Sequence, residues 1–410
     1  MKCVIIVALL LVAMKCSASG YEEDYSVYLS DVFRNVESIK SKQASINAEK
    51  LNKLNAQLFF VPKISLSALP KKTQSNNKYT ETKITLSSLL FDDTILSKIK
   101  SNDYKLLSAV LDLEKEKERI TAVVMSDQVS ISLYEQLRSH ALELKRQSEG
   151  LYEKIAVKYN FGIIKESDVQ LAMLLVQKIN NEIDNLDREI EKLKLNIESN
   201  TLLPYPSMGI KVPLSKIDSL LKFNCNTCDL KNNLELKKLQ FNKFEAQENA
   251  NQQDPFLSVS FIAENKYTDS QAIKDESYIG IKVSAQLFNL ENKLGKRAGM
   301  ESYRALSFDC DQKYKVIMNQ VKLAKLTSEA NVREITNLEK QLNTTKVLIE
   351  NQSREYAINQ ASVYEMLNTR FDLFQLEKSV IGMKISEAKN KIALLQYYGK
   401  TIDFFMREKQ

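Results

Sequence analysis

Two stretches of the sequence alternate apolar and polar residues with a period of two, and each predicts a pair of β-strands joined by a polar loop. Pro62 in the first stretch matches Pro255 in the second at an offset of 193 residues. Phe91 matches Phe288 at an offset of 197 residues. The chain therefore contains an internal duplication. The four strands are predicted at 61–68, 84–91, 254–261 and 281–288.

The alternation gives each predicted strand one apolar face and one polar face. In the first strand Ile64 and Leu66 share one face, and the serines that follow each of them share the other. This pattern fits a soluble sheet on a core, a soluble barrel, or transmembrane strands of about 9 to 11 residues. The strands alone favour a soluble structure, whereas the long helices described next favour the membrane barrel.

Most of the remaining sequence repeats its apolar residues at three- and four-residue spacings, which predicts helices. From 94 to 158 there is no proline, and the only glycine is Gly150 near the end. The helices are predicted at 21–57, 94–158, 167–200, 215–221, 229–250, 289–356 and 362–398. The third has a heptad seam, which predicts a coiled coil. Its seam residues are Ala172, Val176, Ile179, Ile183, Leu186, Ile190, Leu193 and Ile197, and the last helix repeats part of the seam at Leu373, Leu376, Val380 and Met383.

A tight turn is predicted between the two helices of each long hairpin. Gly162 suits the left-handed conformation that closes a helix. Asn359 occupies the equivalent position at the offset of 197, and Tyr356 matches Tyr159 in the same way. Asparagine is the non-glycine residue that best tolerates this conformation. Each half is thus predicted as helix, strand, strand, long helix, turn and return helix.

The fold class predicted from these elements is mainly α, with duplicated coiled-coil helical hairpins and four strands per chain. The C-terminal tail is expected to be loosely attached. The predicted segments are a signal peptide at 1–20, a first repeat at 21–205, a joint at 206–228, a second repeat at 229–398 and the tail at 399–410. The first repeat has its strand pair at 60–91 and its helical hairpin at 94–200. The second repeat has its strand pair at 255–288 and its helical hairpin at 290–398.

The N-terminus and the net charge limit the function classes. Lys2 precedes a short apolar run that ends at Ala13, and small residues around Ala18 follow, which is typical of a secretory signal peptide. Loss of Lys2 and Lys15 with the leader changes the formal charge from +6 to +4. Acidic and basic residues are interspersed, so the pattern does not indicate a nucleic-acid partner. No later stretch has the 18 or so consecutive apolar residues of a membrane helix.

The sequence offers little catalytic chemistry. The only histidine, His140, stands among charged residues of a predicted helix, which favours a solvated surface position. Cys225 and Cys228 form the one cysteine motif of the mature chain and leave Cys310 over. A zinc site would need two more ligands, whereas export to an oxidising compartment favours a Cys225–Cys228 disulfide. Without a catalytic triad or a phosphate loop, the chain is interpreted as a non-enzyme without cofactor or metal.

The element order and three motifs resemble the TolC family of outer-membrane efflux proteins over essentially all of the mature chain. The motifs are Pro62-Lys-Ile-Ser-Leu-Ser, the strand-to-helix junction Leu89-Leu-Phe-Asp92, and the run Lys158-Tyr-Asn-Phe-Gly-Ile-Ile-Lys-Glu-Ser-Asp-Val-Gln170. The resemblance implies a homotrimer with a 12-stranded outer-membrane β-barrel and an α-helical periplasmic tunnel. It also implies docking onto an inner-membrane pump, of the RND or ABC type, through a periplasmic adaptor (membrane fusion) protein.

The resemblance further implies a gate at the periplasmic tips of the hairpins. Asp168 fits the acidic position of the first repeat, and Tyr356 fits the tyrosine that can hydrogen-bond to it. Glu365 and Asn368 each stand where an aspartate is usual, and Ala361 stands where a basic residue would complete a salt link. The gate pattern is thus partly retained. Three Glu365 side chains would form a cation-attracting ring, whereas Asp168 could instead be a charge favoured by the helix dipole.

Two hypotheses of function follow. The first is the outer-membrane exit duct of a tripartite efflux or type I secretion system in a Gram-negative bacterium, with most of the chain in the periplasm. It would pass small molecules or unfolded proteins, and the pump would select between them. The alternative is an exported periplasmic coiled-coil adaptor or scaffold that is not inserted in the membrane. Two hairpins, two strand pairs and few glycines favour the duct, because adaptors usually carry one hairpin flanked by glycine-rich β domains.

Overall fold

The structure is a computed structural model that describes residues 23–72, 78–207, 209–224, 229–268, 276–358 and 362–406. The expected signal peptide at 1–20 lies outside the described residues. The chain divides into two compact units. The first comprises the described residues of 1–36, 118–228 and 321–410, and the second comprises those of 37–117 and 229–320.

Helices account for most of the described residues, and two of them are very long. The helices are α1 (Tyr25–Asn35), α2 (Glu37–Gln57), α3 (Ile95–Asn160), α4 (Glu166–Thr201), α5 (Leu214–Leu221), α6 (Leu234–Gln252), α7 (Leu290–Ala357), α8 (Val363–Tyr397) and α9 (Thr401–Met406). At about 1.5 Å per residue, the 66 residues of α3 extend for roughly 100 Å. The strands are β1 (Glu23–Asp24), β2 (Lys63–Lys72), β3 (Lys78–Asp92), β4 (Ile210–Lys211), β5 (Leu257–Thr268) and β6 (Glu276–Ala285).

The second unit contains an antiparallel four-stranded sheet in the order β2-β3-β5-β6. Its central pair, β3 and β5, joins the two sequence repeats through a register in which Leu86 faces Ala263. A bulge between Leu89 and Phe91 shifts the register near the end of β3. The outer strands β2 and β6 each pair on one side only among the described strands, so the sheet has two open edges.

The predicted seam of α4 is largely buried in the first unit. Six of its eight residues are buried, and Val176 and Leu193 are half-buried. Leu175 is fully packed beside Val176, because a straight α-helix has 3.6 residues per turn and drifts from a strict heptad. In α8, Val380 is buried and the other three seam residues are half-buried, while Phe374, which follows Leu373, is only 1% exposed. One apolar core of this unit combines the N-terminal half of the α4 seam, from Ala172 to Leu186, with Phe374 of α8 and Leu137 of α3.

Several predicted element ends are wrong. The helix predicted at 21–57 is interrupted at Val36, whose extended backbone (φ −67°, ψ 127°) buries its own side chain. The helix predicted from 229 begins later, because Asn233 caps α6 by accepting a hydrogen bond from the Leu236 N–H at 2.9 Å. The last strand ends at Ala285 rather than at 288, and Leu287 and Phe288 are exposed.

The expectation of a loosely attached tail is also wrong for its described part, which ends at Met406. Glu118 of α3 is buried and accepts hydrogen bonds from the backbone N–H groups of Thr401 and Ile402, at 3.1 and 3.2 Å. Phe405 is only 2% exposed. The carboxylate satisfies N–H groups that the first turn of α9 leaves free, and the phenylalanine anchors the helix in the first unit.

A buried polar cluster connects α7 and α8 within the first unit. The Glu387 carboxylate accepts hydrogen bonds from Ser328 and from Asn331, the latter at 2.9 Å, and pairs with Lys391 at 3.3 Å. The Lys391 ammonium also donates to the Phe223 carbonyl at 2.7 Å. Each charged group thus has several partners, which offset the cost of burying it.

Candidate functional site

The turn between α3 and α4 has the geometry of a Schellman motif. Gly162 has a φ of +70°, and its N–H donates to the Tyr159 carbonyl at 2.8 Å. The Ile163 N–H donates to the Lys158 carbonyl at 3.0 Å. These two bonds satisfy carbonyl groups that the helix end would otherwise leave unpaired. The conformation requires a positive φ, which glycine adopts without a steric penalty.

Asp168 lies in the first turn of α4 and is half-buried. Its backbone N–H donates to the Lys165 carbonyl at 3.1 Å. Lys165, the N-cap residue, makes no side-chain capping bond. The N-terminus of α4 therefore depends on the acidic side chains of Glu166 and Asp168 to balance its dipole. This position is compatible both with the predicted gate role and with the purely local alternative.

Tyr356 is at the tip of the second hairpin, in the last turn of α7, and its ring packs against the core of the first unit. The Lys158 ammonium lies 4.7 Å from the centre of this ring, which is a cation–π contact between α3 and α7. The Tyr356 hydroxyl is buried and has no hydrogen-bond partner among the described residues. The bond between Tyr356 and Asp168 is therefore not made within the described part of one chain.

Glu365 has a local structural role in α8. Its carboxylate accepts a hydrogen bond from the Ser362 N–H at 3.3 Å, and its own N–H donates to the Ser362 hydroxyl at 3.1 Å. This reciprocal pair is a capping box, and it fixes the start of the return helix. Glu365 is nevertheless exposed, so the same carboxylate is accessible to other groups.

Arg370 is a residue at this end of the hairpin that the sequence analysis missed. Its guanidinium is half-buried, and its Nε has no hydrogen-bond partner among the described residues. Burial lowers the pKa of Arg370, and no acidic side chain of the described chain opposes this effect. The signal in the sequence is spacing: Val363, Leu367, Arg370 and Phe374 follow each other at intervals of four, three and four residues. The arginine therefore occupies the buried face of α8.

Four of the predicted site residues cannot be placed. Asn359 and Ala361 of the second turn lie outside the described residues, as do Cys225 and Cys228. The Cys225–Cys228 disulfide and the left-handed conformation at Asn359 therefore stay predictions. Cys310 is described as a half-buried free thiol, and burial raises its pKa.

The four-stranded sheet has one apolar face that is open to its surroundings. Ile64 on β2 is 77% exposed, and Ile279 and Ile281 on β6 are 77% and 68% exposed. In the register, Ile64 and Ile279 lie at the two ends of one row of side chains that crosses all four strands. The face consists of Ile64, Leu66, Ala68, Ile84, Leu86, Val259, Phe261, Ala263, Ile279, Ile281 and Val283. A continuous exposed apolar surface of this kind marks a site of contact with lipid or with another protein.

The opposite face of the sheet is polar and carries a ladder of charges near the loops. Glu81 pairs with Lys71 and with Lys266, the latter at 3.6 Å. Lys83 pairs with Glu264 at 2.6 Å, and the Tyr278 hydroxyl donates to the same carboxylate at 3.1 Å. Toward the helices, this face carries mainly the hydroxyl groups of Ser65, Ser67, Thr85, Ser87, Ser258, Ser260 and Ser284. The face is thus suited to contact with water.

The described residues contain little that suggests other chemistry. His140 has a side chain that is 66% exposed, and its Nδ1 lies 3.7 Å from a Glu377 carboxylate oxygen. No group of three or more potential metal-ligating residues occurs among the described residues. Within the same ranges, no helix is both long and apolar enough to cross a membrane.

Comparison by sequence finds no match, either to a protein-family model or to a curated protein. Comparison by structure finds many. The chain is similar to CusC, described for transmembrane channel formation, with a TM-score of 0.77, 13% identity and 92% of each chain covered. It is also similar to the MtrE outer-membrane channel of Neisseria gonorrhoeae, with a TM-score of 0.73, 12% identity and coverage of 91% of this chain and 88% of that one.

A third similar structure is the outer-membrane protein VceC of Vibrio cholerae, with a TM-score of 0.70, 13% identity and coverage of 90% of this chain and 95% of that one. These proteins have the TolC-family fold, and the present chain has that fold along nearly its whole length. The similar structures are channel proteins rather than enzymes.

Proposed function

We propose that this chain, which has the TolC-family fold, is the outer-membrane exit duct of a tripartite efflux system. The observation that carries the proposal is the four-stranded sheet with an exposed apolar face, a polar face and two open edges. Strands that alternate in this way are typical of outer-membrane barrels, with the apolar face toward lipid and the polar face toward a lumen.

The proposal requires more than one copy of the chain. Four strands cannot close a barrel that holds a lumen, and an open sheet edge cannot lie in lipid, where its N–H and C=O groups have no partners. Three copies would supply twelve strands, with β2 of one copy paired to β6 of the next. The long helices of the three copies would then form the periplasmic tunnel. We therefore propose a homotrimer in the outer membrane of a Gram-negative bacterium.

We also propose that the duct is passive and is gated at the hairpin tips. Asp168, Tyr356 and Glu365 are the candidate gate residues. The Tyr356 hydroxyl has no hydrogen-bond partner among the described residues, which supports a contact that forms on assembly. A periplasmic adaptor would join the tips to an inner-membrane pump of the RND or ABC type. The same duct could serve type I secretion of unfolded proteins, because the pump selects the substrate.

The first experiment is to measure the native mass of the mature protein extracted from membranes in detergent. We expect a particle of three chains that needs detergent to stay in solution, and this particle should form ion-conducting pores in planar bilayers. A monomer or dimer that is soluble without detergent would contradict the duct. The sheet would then have to belong to the alternative, a periplasmic coiled-coil adaptor or scaffold.

The gate can be tested on the same particle. Asp168→Ala and Tyr356→Phe should each raise single-channel conductance, because each removes one side of a polar contact that narrows the tip. Glu350→Gln, which removes an exposed carboxylate of α7, serves as the control and should leave the conductance unchanged. If both tip variants conduct like the wild type, Asp168 and Tyr356 have no role in the gate.

A further inference from the structure

A pocket of about 230 Å³ lies in the second unit, where the strands meet the helices α2 and α3. Lys63 begins β2, and Lys98 is in the first turn of α3. Ser87 and Ser260 contribute hydroxyl groups from the polar face of the sheet, and Asn55 contributes an amide from the end of α2. The polar part of the lining is therefore made of groups that can donate hydrogen bonds.

The charge of this pocket is not neutralised by the residues around it. Neither Lys63 nor Lys98 forms an ion pair with any described residue, and no carboxylate lines the pocket. On the same sheet face, Lys71, Lys83 and Lys266 each pair with a glutamate. Lys282 on β6 has no ion pair among the described residues either, but it does not line the pocket. Two ammonium groups beside one cavity give it a positive potential, which attracts an anion.

The remaining wall of the pocket is apolar. It is formed by Leu58, Phe59, Val61, Leu89 and Ile95. The turn that carries the first three residues is fixed by a hydrogen bond from the Val61 N–H to the Leu58 carbonyl at 3.1 Å, and the Ser88 hydroxyl holds the Phe60 carbonyl. A free inorganic anion would leave this surface in contact with water, whereas an apolar group on the ligand would cover it.

We infer that this pocket binds an amphiphilic anion, that is, a small molecule with a carboxylate, sulfate or phosphate group joined to an apolar body. The two ammonium groups and the two hydroxyl groups would hold the charged end through charge-assisted hydrogen bonds. The apolar wall would hold the body. Ligand sites commonly combine an apolar wall with a few convergent polar groups in this way.

The role of the pocket in transport rests on the proposed function, whereas the binding of the ligand to the pocket does not. Lys63, Ser87 and Ser260 lie on the polar face of the sheet, which would face the lumen of the duct. The pocket would then be a point inside the duct at which an amphiphilic anion binds. The binding itself depends on the pocket residues alone, so it can be measured whether or not the chain forms pores.

The test is isothermal titration calorimetry on the purified mature protein, in lipid nanodiscs if it requires a membrane and in buffer if it does not. The probe is hexyl phosphate. Two control ligands, hexyltrimethylammonium and inorganic phosphate, are titrated in the same way. We expect saturable binding of one hexyl phosphate per chain. In Lys63→Gln/Lys98→Gln the dissociation constant should rise about ten-fold or more, because two charge-assisted hydrogen bonds are lost.

The charge-matched control is Lys322→Gln/Lys340→Gln, which removes two exposed lysines of α7 and should bind like the wild type. A second variant, Leu58→Ser, removes part of the apolar wall and should weaken binding of hexyl phosphate. Wild-type affinity in the Lys63/Lys98 variant would overturn the inference, and so would equal binding of hexyltrimethylammonium. Equal affinity for inorganic phosphate would show that charge alone is recognised and would overturn the amphiphilic ligand.

Discussion

At the scale of single residues, the candidate gate contains side chains with two possible roles. Glu365 caps its own helix through Ser362, and it is also exposed at the tip end of α8. A capping box needs a hydrogen-bond acceptor at this position but not a negative charge, since glutamine also serves there. A ring of three carboxylates needs the charge. The two roles can therefore be separated by substitutions that remove only one of them.

Glu365→Gln keeps the acceptor and removes the charge. We expect the melting temperature to stay close to that of the wild type and the cation preference, measured as the reversal potential across a KCl gradient, to fall. Glu365→Ala should lose about 1 kcal/mol of stability in addition, because the cap is broken. If the glutamine variant has the wild-type reversal potential, Glu365 is a capping residue and does not act as a charged ring.

Glu118 makes stability depend on pH. Burial raises the pKa of Glu118 above its ordinary value, although the N–H groups of Thr401 and Ile402 partly oppose this effect. The folded chain then binds a proton more readily than the unfolded chain, so this residue adds stability as the pH falls through the folded pKa and costs stability at neutral pH. The wild type should therefore gain more melting temperature than Glu118→Gln does as the pH is lowered from neutral through the folded pKa of Glu118.

The comparison with Glu118→Gln removes the contribution of other titrating groups, including Asp127, whose pKa burial also raises. The melting temperature should be followed by circular dichroism in the same detergent at each pH. Parallel shifts of the two proteins with pH would mean that the protonation of Glu118 is not coupled to folding.

At the scale of elements, the sequence predicts what depends on local spacing. The heptad intervals of α4 and the alternation in the strands each determine which residues share a face, and the structure buries or exposes those faces accordingly. What the sequence does not reveal is contact between distant residues. The docking of α9 depends on Glu118, which lies 283 residues before Thr401 in the chain. The break at Val36 likewise coincides with packing, because the side chain at this extended residue is only 3% exposed.

The candidate site shows the same division. Gly162 could be recognised from sequence because a left-handed helix end is a local requirement. Arg370 was missed because an arginine between apolar residues looks like a surface position until the helix is packed. The pocket at Lys63 and Lys98 could not be predicted either. Its members come from strands and helices more than 200 residues apart, from Asn55 to Ser260.

The Glu387 cluster is the buried link between α7 and α8 that a substitution can test. Glu387→Ala would leave the Lys391 ammonium buried, with the Phe223 carbonyl as its remaining strong partner among the described residues. Removing one member of a buried ion pair commonly costs about 3 to 5 kcal/mol. We therefore expect a marked fall in the melting temperature, measured by differential scanning calorimetry.

Two control variants show whether the fall in melting temperature comes from the loss of the buried ion pair. Glu350→Ala removes an exposed carboxylate from α7 and should change stability by less than about 0.5 kcal/mol. Glu387→Ala combined with Lys391→Met removes both buried charges and should recover part of the loss. If Glu387→Ala melts like the wild type, the cluster does not hold the two helices together.

At the scale of the whole molecule, the two edges of the sheet are not covered by any other described strand of the same chain. Among the described strands, β2 and β6 are each paired on one side only, so their outer edges carry N–H and C=O groups without a strand partner. In soluble proteins such edges are usually protected by charges or by a covering element. Here the apolar face beside these edges is exposed as well. Both problems are solved together if β6 of one copy pairs with β2 of the next in a closed barrel.

Cysteine cross-linking between edge strands tests this arrangement directly, in a background whose mature cysteines are replaced by serine. Ser65→Cys on β2 and Ser284→Cys on β6 lie on the same face and on opposite edges of one sheet, too far apart to react within a chain. A short bis-maleimide should therefore link them between copies and give covalent dimers and trimers on a denaturing gel. The matched control pairs Ser65→Cys with Ser260→Cys, because Ser260 lies on the inner strand β5. Cross-links that join only pairs of chains, or that form equally well in the control, would mean that the edges do not close into a three-chain barrel.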